Sequence, residues 1–335
     1  MSLRESVASR SERQALCLIQ QIQANHLAGD RYAIGIDVAA SMSNWGLSVI
    51  RLAEDPKRNT IAAIFPHSLK TADGLDHKTI FCRPSSGIVK SLLEWINTEK
   101  ISTIIAVDVP FGWPTHHRDF LNNFSAAAGL NEGQELPSRR DFERRFCDVA
   151  LTQRFKDQRV APLSVSADTL GQAAFSWAVE RQKLANLIGA VDLGLPTNET
   201  HLVRCIETYP AAFVRCCFPD QANYKSATQQ EQRRELVSQL FRAYDLSSNE
   251  EVNTWCERAC CQAGSPDALD SLLCAFCGWD HLQFRSGRHD IAMSTPNKLL
   301  NRPMTKTEES RIESEGWILF RYEAFSTDGT NNSVS

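Results

Sequence analysis

Three short apolar runs in this chain end on an acid: Ala-Ile-Gly-Ile before Asp37, Ile-Ile-Ala-Val before Asp108, and Val-Arg-Cys-Ile before Glu207. A carboxylate beside a buried run needs a partner, because desolvating it alone is costly. A divalent cation is one such partner and an ion pair is another. A second acidic element follows in Ser265-Pro-Asp-Ala-Leu-Asp-Ser-Leu-Leu-Cys-Ala-Phe276. Pro266 suits the first turn of a helix, and Asp267 and Asp270, three apart, share one helical face. Asp267 also complements the helix dipole, whereas Asp270 lies a turn further in, where the helix is apolar on nearly every side. Five acids of this kind are the raw material of a carboxylate metal site, and together they point to one shared site.

The elements that must position them are legible in outline. Tyr32–Asp37, Leu47–Ile50, Ile61–Ile64, Thr103–Val109 and Leu202–Glu207 have strand-like length and composition. Gly87–Thr98 carries Ile88, Leu92, Leu93 and Ile96 on one helical face. Strands interleaved with helices favour a mixed α/β sheet, and open sheets present functional side chains at the carboxyl ends of their strands. Helices are expected at Pro137–Arg159, Ser166–Ala190, Glu231–Tyr244, Glu250–Cys261 and Pro266–His281, with a last strand at Gly316–Tyr322. We expect a helical leader at 1–30, one domain at 31–325 with a helical insertion at about 115–198, and a disordered polar tail at 326–335.

The 335 residues are 42% hydrophobic and 23% charged, with a formal net charge of −4. That balance excludes binding to long nucleic acid by bulk charge, but not through a local basic groove. Between Pro137 and Arg159 stand seven Arg and Lys, among them Arg140 and Arg145, against four acids. They either line a phosphate-binding face or pair with the interleaved acids, Arg145 with Asp148 for instance. The first residues lack the apolar core of a secretory signal, and no run approaches the length of a membrane span. With no membrane segment expected, the eleven cysteines read as reduced thiols of a cytoplasmic protein. Cys256, Cys260, Cys261, Cys274 and Cys277 read as small apolar helix residues rather than zinc ligands, since no second compact Cys/His pair accompanies them. His116-His117, in a loop near Asp108, is read as exposed or as a proton shuttle. Phe111 and Trp113 either stack on a base or pack the loop onto the core.

The chain resembles the domain-of-unknown-function 429 family, regarded as predicted nucleases of RNase H-like fold. The resemblance rests on Ile34-Gly-Ile-Asp37, Ala106-Val-Asp-Val-Pro-Phe-Gly-Trp-Pro114, Arg145-Phe-Cys-Asp148, Glu207-Thr-Tyr-Pro210, Asp267-Ala-Leu-Asp270 and Glu315-Gly-Trp-Ile318, in that order. The Asp-Ala-x-Asp helix is also similar to that of RuvC-type junction resolvases, which pair it with acids on their first and fourth strands. The resemblance implies an α/β, RNase H-like mixed sheet flanked by helices. It also implies that Asp37, Asp108, Asp267 and Asp270 bind Mg2+ or Mn2+, with Glu207 as a further catalytic acid and Lys225, Arg145 and Arg140 as substrate contacts. Where family members often carry Gly after the first acid, Val38-Ala39-Ala40 stand here.

The activity so implied is phosphodiester hydrolysis by two ions about 3.5–4 Å apart. The expected partner is a short, structured or single-stranded DNA or RNA. Two other readings compete: a non-catalytic nucleic-acid-binding or scaffold protein, and an actin-like ATP-dependent phosphotransferase. The second normally needs a duplicated domain and a Gly-rich phosphate loop, neither of which is evident.

Overall fold

A computed structural model describes residues 19–39, 45–54, 58–65, 86–123, 138–166, 168–196, 201–226, 228–246, 260–261 and 267–325. Six strands form one mixed sheet in the order β3-β2-β1-β4-β6-β5. They are β1 (Arg31–Asp37), β2 (Gly46–Leu52), β3 (Thr60–Phe65), β4 (Thr103–Asp108), β5 (Ala190–Val191) and β6 (Val203–Glu207). β1, β2 and β3 are an antiparallel meander, whereas β4 runs parallel to β1, and β6 parallel to β4 and β5. The central strands are buried on both faces, which is why they read as near-continuous apolar runs rich in Ile and Val.

In chain order the helices are α1 (Ser86–Thr98), α2 (Thr115–Asn123), α3 (Arg139–Glu143), α4 (Phe146–Arg154), α5 (Asp168–Lys183), α6 (Pro210–Cys217), α7 (Gln230–Ala243), α8 (Asp267–Arg285), α9 (Pro296–Leu300) and α10 (Lys306–Glu315). Apart from α2 and α3, which contribute no core residue, they divide between two cores, one on each face of the sheet. Tyr32, Ile34 and Ile36 of β1 pack with Leu92, Leu93 and Ile96 of α1 and with Trp177 of α5. Ala33 of β1 and Ile104 and Ala106 of β4 pack instead under α8, beside Phe213 of α6 and Leu240 of α7. The alternation along β1 and β4 is the period-two pleat of a strand.

α8 is the axis of the second core. Its residues from Ala268 to Leu282 are all buried, and it crosses β1, β2 and β4. The approach is close because the strands offer small side chains there. A Cβ on Gly35 would lie 1.9 Å from the Ser271 carbonyl oxygen and 2.3 Å from the Ala275 nitrogen. Only glycine lets β1 and α8 meet at backbone distance. Ser48 of β2 and Ser271 then share a buried hydroxyl hydrogen bond of 2.7 Å.

Several expected elements differ. Pro137–Arg159 is not one helix, because the chain is extended at Arg144 and Arg145, between α3 and α4. The helix expected to reach Ala190 stops at Lys183, and Ala190–Val191 joins the sheet as β5. α6, which follows β6 directly, was not anticipated. Gly316–Tyr322 forms isolated bridges rather than a strand, Ile318 with Glu207 and Arg321 with Met293. Of the helical leader expected at 1–30, residues 19–30 are described, with helix at 19–24 and turn or loop at 25–30. The tail, and the Glu250–Cys261 helix apart from Cys260 and Cys261, fall outside the described residues. Cys260, Cys261, Cys274 and Cys277 are buried within the α8-side core. Among the described residues, no helix is long and apolar enough to cross a membrane.

Candidate metal centre

Asp37 and Asp108 are the last residues of β1 and β4, and the parallel pairing sets them directly side by side. Each follows its strand's α8-facing residues in alternation, Ala33 and Gly35 in one case, Ile104 and Ala106 in the other. Both carboxylates therefore emerge on the side where α8 crosses. Asp270, one turn into α8 and 3% exposed, completes the group. One carboxylate oxygen from each of the three lies within 4.8 Å of the others, so that together they could hold a metal ion.

The electrostatics are those of a crowded anionic site. Burial, followed by the charges of Asp270 and Asp108, pushes Asp37 well above the ordinary carboxylate range. Burial raises Asp108 to about 7, with Lys225 opposing the shift and Asp270 and Glu207 adding to it. A cation relieves both effects, because it favours the charged form of every acid near it.

Two neighbours from the turn after α6 hold Asp270. The Tyr224 hydroxyl donates to Oδ1 at 2.5 Å, and the Lys225 ammonium stands 2.7 Å from Oδ2. Tyr224 is fully buried, and Arg233 of α7 donates to the carbonyls of Tyr224 and Ser226, which pins the turn. Lys225, expected as a substrate contact, is thus an ion-pair partner of the acid cluster. Tyr224 and Arg233 were missed as site residues. Their only sequence signal is the adjacency of Tyr224 to Lys225, and nothing local links that dipeptide to an acid 45 residues later.

Asp267 opens α8 at the edge of the group. Its charge bears on Asp37, but its carboxylate is not one of the three that converge. Glu207 is a larger departure. Its register partner on β4 is Val107, not Asp108, so the pleat turns it away from the cluster. It is 1% exposed and meets Arg145 through two hydrogen bonds of 2.6 and 2.8 Å. It also accepts from the Phe111 backbone at 2.9 Å.

Arg145 is buried to the same degree, and all five of its N–H donors are engaged by Asp148, Glu207 and the Glu315 carbonyl. Every N–H donor of this side chain, expected from the sequence as a substrate contact, thus has a partner within the protein. The second possibility for Arg145, pairing with Asp148, is the one observed. Gly316 makes room for this ion pair: its φ is +88°, and a Cβ there would sit 2.8 Å from Glu207 Oε2. Glu315 beside it accepts from the backbones of Thr115 and Phe146 and so ties α10 to the starts of α2 and α4.

Arg140 is exposed on α3 and has no part in the cluster. His116 is exposed and His117 half-buried, both on α2. Phe111 is buried and stacks on Trp177 with ring centroids 6.1 Å apart, and Trp113 packs at the edge of the same core. These aromatics fasten the loop after β4 to the sheet.

Sheet and site together define an α/β protein whose strand-end acids meet an acidic helix. The chain belongs to the family described as protein of unknown function (DUF429), which matches residues 35–297. That span runs from β1 through α9 and includes all three converging acids. Comparison with curated proteins and with solved structures gave no match.

Proposed function

We propose that this chain is a divalent-metal-dependent phosphodiesterase of RNase H-like fold that acts on nucleic acid. The observation that carries the reading is the meeting of Asp37, Asp108 and Asp270 within 4.8 Å. Asp37 ends the first strand and Asp108 the fourth, the positions that RuvC-type resolvases pair with an acidic helix. The donor set consists of hard carboxylate oxygens and suits Mg2+ or Mn2+ rather than a thiophilic ion. When bound, such an ion polarises a phosphoryl oxygen and lowers the pKa of water, which is the chemistry phosphodiester hydrolysis needs.

The chain's own residues hold and orient. Asp37 sits between the other two acids in role, in register with Asp108 on one side and under α8 on the other. Asp270 is fixed by Tyr224, and Asp267, at the edge, is placed to orient water. The net charge of −4 favours a short, structured or single-stranded substrate over a long duplex held by charge. Cysteines kept as thiols agree with a cytoplasmic setting.

The test is cleavage of end-labelled single-stranded DNA, single-stranded RNA and short hairpins with Mg2+ or Mn2+. Cleavage that is abolished by chelator, and by Asp37→Asn, Asp108→Asn or Asp270→Asn in folded protein, is the expected result. Metal binding with no cleavage of any substrate would favour a non-catalytic nucleic-acid binder. A thermal shift specific to ATP would favour a phosphotransferase.

A further inference from the structure

Lys225 is the cation of the acid cluster. Its ammonium is 2.7 Å from Asp270 Oδ2, and its charge acts on Asp37 and Asp108 as well. The other oxygen of Asp270 is taken by the Tyr224 hydroxyl, so Oδ2 is the one left to face a cation. The two sides of the pair differ in freedom. Asp270 is 5% exposed at its side chain, whereas that of Lys225 is 44% exposed. The backbone that carries Lys225 is held by Arg233 on both sides, at the Tyr224 and Ser226 carbonyls. What can move is the four-carbon stem, which leads from a pinned turn to Asp270 and is itself partly exposed.

We propose that Lys225 is a resident counter-ion of the three acids that is displaced from Asp270 when a divalent ion binds them. The inference rests on the metal-binding reading above and adds to it a residue that competes with the ion. The competition follows from charge and geometry. A divalent ion approaches a carboxylate oxygen to about 2.0–2.1 Å, and an ammonium hydrogen-bonded to that same oxygen then faces a like double charge at close range. Such an ion would be shared by three carboxylates, whereas the ammonium hydrogen-bonds one of them, and the Lys225 side chain, unlike that of Asp270, is partly exposed. Lysine suits the part, since its charge is a compact, well-hydrated point on a flexible stem.

The experiment is lysine acylation of the full-length wild-type protein with and without Mn2+, read per residue by peptide mass spectrometry. Mn2+ binding is measured in parallel by the loss of the free-ion electron paramagnetic resonance signal. Lys90, 61% exposed and remote in its pairing with Glu94, serves as the internal reference. The expected result is a several-fold rise in Lys225 acylation as Mn2+ saturates, with Lys90 unchanged. Mn2+ binding with Lys225 acylation unchanged or lowered overturns the displacement and leaves the metal site standing. Absence of Mn2+ binding overturns both.

Discussion

Arg145 and Glu207 face each other through two parallel hydrogen bonds of 2.6 and 2.8 Å in a region where each is 1% exposed. Bidentate geometry is the strongest form of the arginine–carboxylate contact. Asp148 supplies a second carboxylate, and the Glu315 carbonyl a further acceptor. The pair joins α4, the end of β6 and the α10 terminus, and Glu207 is not among the three acids that converge.

Removing one partner from such a pair leaves a buried charge unmatched, at a cost of about 3–5 kcal/mol. Arg145→Met, which strands the Glu207 and Asp148 carboxylates, is therefore expected to lose stability of that order in urea denaturation, and Glu207→Gln, which leaves Arg145 paired with Asp148, to lose less. Where Glu207→Gln remains folded, it should bind Mn2+ as the wild type does. A Glu207→Gln protein of wild-type stability that had lost metal affinity would assign Glu207 to the metal centre instead.

Tyr224→Phe tests the orientation of Asp270. The 2.5 Å hydrogen bond to Oδ1 restrains the rotation of the carboxylate beside Asp37 and Asp108. Loss of a partner that orients a metal ligand typically weakens affinity by about 10–100-fold. We expect Mn2+ affinity to fall within that range in titration calorimetry, with the far-ultraviolet circular dichroism unchanged.

Gly35→Ala tests the contact that brings α8 to the sheet. A Cβ 1.9 Å from the Ser271 oxygen cannot be absorbed by a side-chain rotation, because both obstructing groups are backbone. Overpacking of this kind costs about 1–3 kcal/mol or more. α8 must move away from β1, and Asp270 with it. Both the melting temperature and the metal affinity should fall, whereas an exposed substitution such as Glu94→Gln should change neither.

The acid cluster also has a pH signature. Burial, with the neighbouring acids, holds Asp37 well above its ordinary 3.8, and burial leaves Asp108 at about 7. Between the ordinary and the raised value the native chain keeps a proton that the unfolded chain has released, so stability falls as pH rises through that window. With chelator present, the wild-type melting temperature minus that of Asp108→Asn is expected to decline from about pH 4 to about pH 7. Saturating Mn2+ should reverse the slope, since the ion binds the deprotonated carboxylates. A difference that is flat with pH would contradict the raised values.

The parts legible from sequence were those set by local pattern. Ile and Val runs that end on Asp37 and Asp108 mark buried strands of a mixed sheet, and a helix apolar all round marks α8 as buried. Glu207 ends the same kind of run, yet its register with Val107 turns it to the other face. A shift of one residue in pairing reverses a side chain's direction, and strand register is not written in the strand itself. The partners of Arg145 were hidden for a related reason. Asp148 is three residues away and was considered, whereas Glu207 and Glu315 come from β6 and the end of α10. The break between α3 and α4 does have a local cause. Asp148 accepts from the Arg145 backbone N–H, as an acid at the third helical position does in a capping box, so α4 starts afresh at Phe146.

The claim on which the account depends is that Asp37, Asp108 and Asp270 form one cation site, and its most direct measurement is Mn2+ titration monitored by electron paramagnetic resonance. Wild type, Asp37→Asn, Asp108→Asn, Asp270→Asn and the exposed control Glu94→Gln would be compared at equal concentration after a check that each is folded. Saturable binding is expected in the wild type and in Glu94→Gln, with a loss of at least about tenfold in affinity in each of the three aspartate variants. Wild-type protein that fails to bind, or three variants that bind as the wild type does, would contradict it.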